Sequence, residues 1–433
     1  MFSDPGLAIN GGEPVRTAPW RHNVTTGAEE IRAVREVLES GYLSLFEGSH
    51  MPDPPFSFWG GPRVQQLEAE WGAYYKVPHA VAMNSATSGL YAAVGALGLG
   101  YGDEIITSPY TMSACAVCTL AYGAIPIFAD VELETGCLDP ASIEAHVTER
   151  TRAVLVVHQF GFPADMLAIM DIAHRHGLKV IEDCAQAHGA IIAGRPVGTF
   201  GDIGVFSLNV NKTIQVGEGG VCVTDDPELH YRLALIRNHG EAVVGPAGYE
   251  DITNILGFNF RMTELHAAIA IEQLRKLESL NRVRLEYVEY LQGALAKCEG
   301  LSPLIGREGD RGEGYRASYY LFPLRFREEI VGVPRADFVA AANAEGAGLS
   351  EGYTQPLYLQ PIYQRLHAFK HGYPFSAPEN AGAHTNYHRG AAPNAERLHF
   401  SDMVLSEHVR PPNTLEDIKD VERAIRKVLG ARS

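Results

Sequence analysis

The chain has 433 residues, 46% hydrophobic, 20% charged and 9% aromatic, with 36 basic against 52 acidic side chains for a formal charge of −16. That length exceeds one ordinary domain, and the mix is that of a globular protein without a low-complexity block. Scattered basic residues argue against nucleic acid or an anionic membrane, no apolar run reaches the ~18 residues of a membrane helix, and MFSDPGLAINGG lacks a signal-peptide pattern, so a cytoplasmic protein acting on a small molecule is expected.

Residues 1–25 read as an N-terminal arm. Thr26 and Glu29 are spaced as a capping box before EEIRAVREVLESG, where Ile31, Val34, Val37 and Leu38 share a face and Gly41 ends the helix. From about 80 to 225, short β-rich runs (AVAM, EIITS, IPIFADV, AVLVVHQF, KVIEDC, IGVFSL, GVCVTDD) alternate with helical ones. Runs this apolar predict a mostly parallel sheet with helices on both faces. Cys115 and Cys118 form a C-x-x-C spacing within SACAVCTLA, with no second pair near it, so both are expected in a helical core and not at a metal. Six cysteines in all make no disulfide framework.

A long helix over roughly Thr263 to Cys298 leads to a strand (SYYLFPLRF), a helix (ADFVAAANAEG), a Gly-, Pro-, Tyr- and His-rich loop over 351–395, and a last helix, LEDIKDVERAIRKVL. The expected division is an arm at 1–25, a large domain at 26–280 and a smaller C-terminal α+β domain at 281–433.

In such sheets ligands sit beyond the carboxyl ends of the strands, and three of those ends carry polar residues. AVAM is followed by Asn84-Ser85-Ala86-Thr87-Ser88-Gly89 at a helix start, which suits a phosphate and equally an ordinary serine N-cap. KVIEDC ends in Glu182 and Asp183, with Gln186 and His188 following. A carboxylate there needs a partner, either the amides of the next turn or a protonated ring nitrogen. VFSL ends at Ser207, and Lys212 follows in FSLNVNKTIQVGEGG, as a lysine snorkelling from the sheet edge or a desolvated nucleophile toward an aldehyde. Phosphate cradle, aspartate and lysine in that order favour the functional reading of all three, and the group with a phosphate, an aldehyde and a pyridinium nitrogen is pyridoxal 5'-phosphate.

The stretches GGPRVQQLEAEW, NSATSGL, SPYTMSACA, VHQFGFPADM, EDCAQAHGA, GDIGVFSLNVNKTIQVGEGGVCVTDD and GFNFRMTELHAA resemble the DegT/DnrJ/EryC1/StrS family over nearly the whole chain. These are sugar and cyclitol aminotransferases of fold type I, aspartate aminotransferase-like. The resemblance implies that Lys212 holds the cofactor through its aldehyde, that Asp183 pairs with the ring nitrogen, and that Gln186 lies against the ring or its phenolic oxygen. It implies that Ala86, Thr87 and Ser207 hold the phosphate and that Asn259 reaches it from a second subunit, giving a homodimer with a shared active site. Met112 stands where the family usually has a ring-stacking aromatic residue, and its thioether can cover a ring face.

Relatives that dehydrate sugars have histidine in place of the lysine, so Lys212 favours transamination. A non-transaminating pyridoxal phosphate enzyme and a non-catalytic partner of an active paralogue are the rival readings. The opening LAINGGEPVRTAPW resembles the branch of L-glutamine:scyllo-inosose aminotransferases and 3-amino-5-hydroxybenzoate synthases. That implies glutamine or glutamate as donor and a keto-cyclitol or keto-sugar as acceptor, in secondary-metabolite biosynthesis. Loop chemistry adds Tyr353, Tyr358 and His239 as candidate substrate contacts, each with a structural role as the alternative. None of the 17 histidines lies in a zinc pattern with a carboxylate, so no metal is expected.

Overall fold

The apolar runs between 79 and 224 become seven strands of one sheet in this computed structural model, which describes residues 4–49, 53–307, 312 and 314–430. They are β1 (His79–Met83), β2 (Glu104–Thr107), β3 (Ile125–Phe128), β4 (Thr151–Val157), β5 (Lys179–Asp183), β6 (Ile203–Ser207) and β7 (Gly220–Thr224), in spatial order β1-β7-β6-β5-β4-β2-β3. The pairs β2–β3, β2–β4, β4–β5 and β5–β6 are parallel, and β7 runs antiparallel to both its neighbours. This is the mostly parallel α/β sheet expected from the sequence. Double-sided burial explains the unbroken apolar runs: along β4, Ala153, Leu155 and Val157 enter one core while Val154 and Val156 enter the other.

Among the described residues, the helices of eight residues or more are α1 (Ala28–Ser40), α2 (Pro62–Tyr75), α3 (Ala86–Ala96), α4 (Ala114–Ala121), α5 (Met166–His176), α6 (Pro227–Arg237), α7 (Glu264–Leu295), α8 (Arg335–Ala344) and α9 (Leu415–Gly430). Leu67, Trp71 and Tyr75 of α2 share one core with Leu274 and Leu277 of α7; Leu90 and Val94 of α3 share the opposite core with Leu233 and Ile236 of α6. Gly89 lets α3 lie directly on the sheet, since a Cβ there would stand 2.9 Å from Cys222 Sγ and from Val205 Cγ1.

The start of α1 differs from the expected capping box. Gly27, not Thr26, is the N-cap, and Glu30, not Glu29, closes the box by accepting the Gly27 N–H at 2.7 Å. The cause is tertiary: Gln273 and Lys276 of α7 both donate to the Glu30 carboxylate at 2.7 Å and draw it inward. The expected apolar face is split for the same reason. Ala33 and Val37 pack with Ala268 of α7, whereas Ile31 and Leu38 are 62% and 56% exposed.

A second sheet is antiparallel: β8 (Leu301–Pro303), β9 (Phe322–Phe326), β10 (Leu349–Glu351) and β11 (Met403–Ser406), in order β8-β9-β11-β10. The expected strand SYYLFPLRF is borne out only in its last five residues, which form β9, and α7 runs unbroken through the boundary expected at 280. The N-terminal arm ties α9 to the loop that follows β6. Arg16 binds Asp417 and Asp420 of α9 at 2.8 and 3.0 Å, and Asn23 Nδ2 donates to the carbonyl oxygens of both Val210 and Lys212 at 2.9 Å. Among the described residues, no helix is long and apolar enough to cross a membrane.

Candidate active site

Strand register gathers the polar ends. Asp183 is aligned with Val205 across β5–β6, so Ser207 lies two residues further along the same edge, and Gly220 pairs with both Ser207 and Met83. A Cβ on Gly220 would come within 2.5 Å of Ala86 N, so only glycine lets β7 begin against the start of α3. At that start Ser85 is the N-cap: its Oγ accepts the Ser88 N–H at 3.0 Å and its carbonyl the Gly89 N–H at 3.1 Å. The cap leaves the Ala86 and Thr87 amides at the positive end of the helix.

Ala86, Thr87, Met112, Asp183, Ser207, Lys212 and Tyr353 line a single cavity of about 380 Å³. Asp183 is buried, with Oδ1 accepting the Ala185 N–H at 2.9 Å and Oδ2 accepting the Cys115 thiol at 3.0 Å. Lys212 is half-buried, and its Nζ lies 4.4 Å from the centroid of the Tyr320 ring. Its loop is fixed by main-chain bonds from Val210 N to Gly217 O and from Lys212 N to Asn209 O.

Among the lining residues that sequence reasoning missed are four with polar side chains, Asn209, Asn211, Glu218 and Tyr320. The first three lie within nine residues of the lysine or its strand and carried polar groups that could have been noted. Tyr320 had no local signal, since it stands inside an apolar stretch that reads only as a strand.

Gln186 is not among the lining residues. Its Oε1 accepts the Phe160 N–H at 2.8 Å and its Nε2 donates to the Tyr353 hydroxyl at 3.3 Å, so it stands behind Tyr353. Burial pushes the Tyr353 hydroxyl up and keeps it neutral. Tyr358 is not brought to the cavity: its buried hydroxyl donates to Glu396 at 2.6 Å and accepts the Ala392 N–H at 3.3 Å. His239 and Asn259 do not line the cavity either. His239 holds a left-handed turn at φ 54°, and exposed Asn259 accepts from Arg261 Nε at 2.8 Å.

Glu182, beside Asp183, serves the scaffold. Its carboxylate accepts the N–H groups of Gly198, Phe200 and Gly201, each at 2.7 Å, and lies 3.0 Å from His158 Nε2. Ala164 N–H donates to His158 Nδ1 at 3.0 Å, so the ring proton is on Nε2 and points at Glu182. His158, Glu182 and Cys184 are close enough to hold a metal ion, yet both ring nitrogens are already engaged.

A larger cavity of about 760 Å³ adjoins the first through Asn211, Tyr320 and Tyr353. Trp20 and His408, stacked at 4.7 Å, form part of its wall, with Glu351 and Glu407. Arg16 also lines it, but two aspartates neutralise that charge.

The donor set of the smaller cavity fits pyridoxal phosphate: helix-start amides and hydroxyls for a phosphate, a buried carboxylate for a ring nitrogen, and an amine for an aldehyde. Comparison with known proteins points the same way. The chain is 32% identical to the L-glutamine:scyllo-inosose aminotransferase of Streptomyces griseus over 98% of both chains. It is 33% identical to the spore coat polysaccharide biosynthesis protein SpsC of Bacillus subtilis, over 93% of this chain and 95% of that protein. The X-ray structure of an aminotransferase from Psychrobacter cryohalolentis superposes with a TM-score of 0.80 at 28% identity, covering 96% of this chain and all of that one. Residues 56–377 match the DegT/DnrJ/EryC1/StrS aminotransferase family, and the chain is a member of it.

Proposed function

We propose that this aminotransferase moves an amino group from L-glutamine or L-glutamate to a cyclic ketone, a keto-cyclitol before a keto-sugar, in two half-reactions that use pyridoxal phosphate. The observation that carries this reading is the convergence of Lys212, Asp183 and the helix start at Ala86 and Thr87 on one cavity. When bound, the cofactor supplies an aldehyde that links to amines and a protonated ring that takes up the electron pair left on the amine-bearing carbon.

The Ala86 and Thr87 amides and the Ser207 hydroxyl hold the phosphate, and Asn259 of a second copy completes that end in a homodimer. Asp183 would pair with the ring nitrogen and hold its proton in place. Met112 would cover a ring face from its place in the cavity wall, and Gln186 supports that wall through Tyr353. The Lys212 amine would hold the cofactor through its aldehyde and, as the base of the site, would carry the proton taken from the donor's α-carbon. In the second half-reaction Lys212 returns a proton to the carbon that carried the ketone.

The acceptor class rests on two supports. The Streptomyces griseus relative is named for glutamine and scyllo-inosose. The larger cavity offers Glu351 and Glu407 with Arg16 already neutralised, which suits a neutral polyhydroxylated ring better than a phosphate-bearing nucleotide. The test is the visible absorption of the pyridoxal phosphate-loaded protein during titration with each donor. Bleaching by glutamine or glutamate that is absent in Lys212→Ala supports the reading, and a spectrum that no amino donor changes refutes it.

A further inference from the structure

Asp183 is held by a thiol from a helix that is distant in sequence. Cys115 lies on α4, fully buried, in the C-x-x-C spacing read as core, and its Sγ is 3.0 Å from Asp183 Oδ2. The other carboxylate oxygen is fixed by the Ala185 N–H at 2.9 Å. An ionised carboxylate only accepts, so the thiol hydrogen must point at Oδ2.

That assignment orients the next contact. Cys115 has no second hydrogen, so across its 3.8 Å contact with Thr111 Oγ1 the threonine hydroxyl donates and the sulfur accepts. The Thr111 carbonyl in turn accepts the Thr354 hydroxyl at 2.8 Å, one residue beyond Tyr353. Thr111 is thus tied to the loop of Tyr353 through its carbonyl, and its hydroxyl and the Cys115 thiol then point in sequence toward Asp183. Burial and the adjacent carboxylate push the Cys115 thiol far above its ordinary range, so it remains a donor. Cys118, one turn on, points its sulfur at the Cys115 carbonyl at 3.5 Å and bonds no part of Asp183.

We infer that Cys115 is a positioning residue of this aminotransferase: its S–H, donated to Asp183 Oδ2, holds the carboxylate in the orientation that meets the cofactor's ring nitrogen. This rests on the reading of Asp183 as the ring-nitrogen partner. Without the thiol one carboxylate oxygen keeps its tether and the other loses it, so the group can turn about its last torsion. Cys115 acts through Asp183 alone, since it does not line the cavity.

The experiment titrates the cofactor-free protein with pyridoxal phosphate, reading the dissociation constant by absorption, for wild type, Cys115→Ser, Cys115→Ala, Cys115→Val, Cys118→Ala and Asp183→Asn. Cys115→Ala and Cys115→Val are expected to weaken binding roughly tenfold, while Cys115→Ser, which keeps a donor, stays within about threefold. Cys118→Ala is expected to bind as wild type, and the melting temperatures of the serine and alanine variants to agree. If Cys115→Ala does not fold, the valine and serine pair decides.

Wild-type affinity in both donor-less variants, with Asp183→Asn weakened, would overturn the role of Cys115 and leave that of Asp183 standing. Equal weakening in Cys115→Ser and Cys115→Ala would also overturn it, by making the effect one of packing. An Asp183→Asn variant that binds as wild type would remove the reading of Asp183, and the inference with it.

Discussion

Lys212 Nζ lies 4.4 Å from the centroid of the Tyr320 ring, and both side chains line the same cavity although 108 residues separate them. A cation over a ring face gains about 0.5–1 kcal/mol, more when desolvated, so Tyr320 holds the amine against one wall. Tyr320→Phe is expected to keep the rate at which the protein captures pyridoxal phosphate. Tyr320→Ala should slow it about threefold to tenfold by stopped-flow absorption. Lys212→Ala should lower turnover by at least ~1,000-fold with the fold intact by circular dichroism.

Asn23 is predicted to act on the same lysine from behind. Its amide bridges the carbonyls of Val210 and Lys212, while neighbouring Trp20 and Arg21 bond Gly346 and Asn413. Asn23→Ala removes both tethers to the loop. Hydrogen exchange should rise across residues 208–213, and stability should fall by about 1–2 kcal/mol. Unchanged exchange in that segment would show that the arm does not hold the loop.

Glu182 is predicted to matter for folding rather than for chemistry. It accepts three main-chain N–H groups and the His158 ring N–H, so Glu182→Gln turns one acceptor into a donor facing donors. The expected cost is about 3–5 kcal/mol in urea unfolding. Added zinc should leave the melting temperature of wild type where it is, because the neighbouring histidine has no free nitrogen.

His188 gives the protein an acid sensitivity. It is fully buried, and burial, then the nearby Lys212 charge, pushes it from 6.5 down to about 3. The unfolded chain therefore takes up this proton first. Stability from the neutral ring is fully present above pH 6.5 and is lost as pH falls toward 3, at about 1.4 kcal/mol per pH unit. His188→Leu should flatten that part of the dependence, measured as the difference in urea midpoint between a neutral and a mildly acidic buffer. An unaltered slope would place the acid sensitivity elsewhere.

The sheet was legible because its strands are buried on both faces and their apolar runs stop where polar residues begin. Asp183, Ser207 and Lys212 stand just past those stops, where the change from apolar to polar marks them in the sequence itself. What stayed hidden depends on distant partners. The carboxylate that closes the box at the start of α1 is Glu30 instead of Glu29 because Lys276 and Gln273 lie across from it. Tyr353 and Tyr358 share one loop and one composition, and only Glu396 and Ala392 assign the second to the core. The short strands β10 and β11 carry too few residues to show a period, and Cys115 looked like plain core because the aspartate it serves is 68 residues away.

The most direct test of amino transfer to a cyclic ketone supplies the loaded enzyme with scyllo-inosose and L-glutamine carrying heavy nitrogen at the α-amine, and reads the product by mass spectrometry. The expected result is an amino-cyclitol that carries the label with wild type and is absent with Lys212→Ala. A dehydrated product, or no labelled amine from any cyclic ketone with glutamine or glutamate, would contradict it.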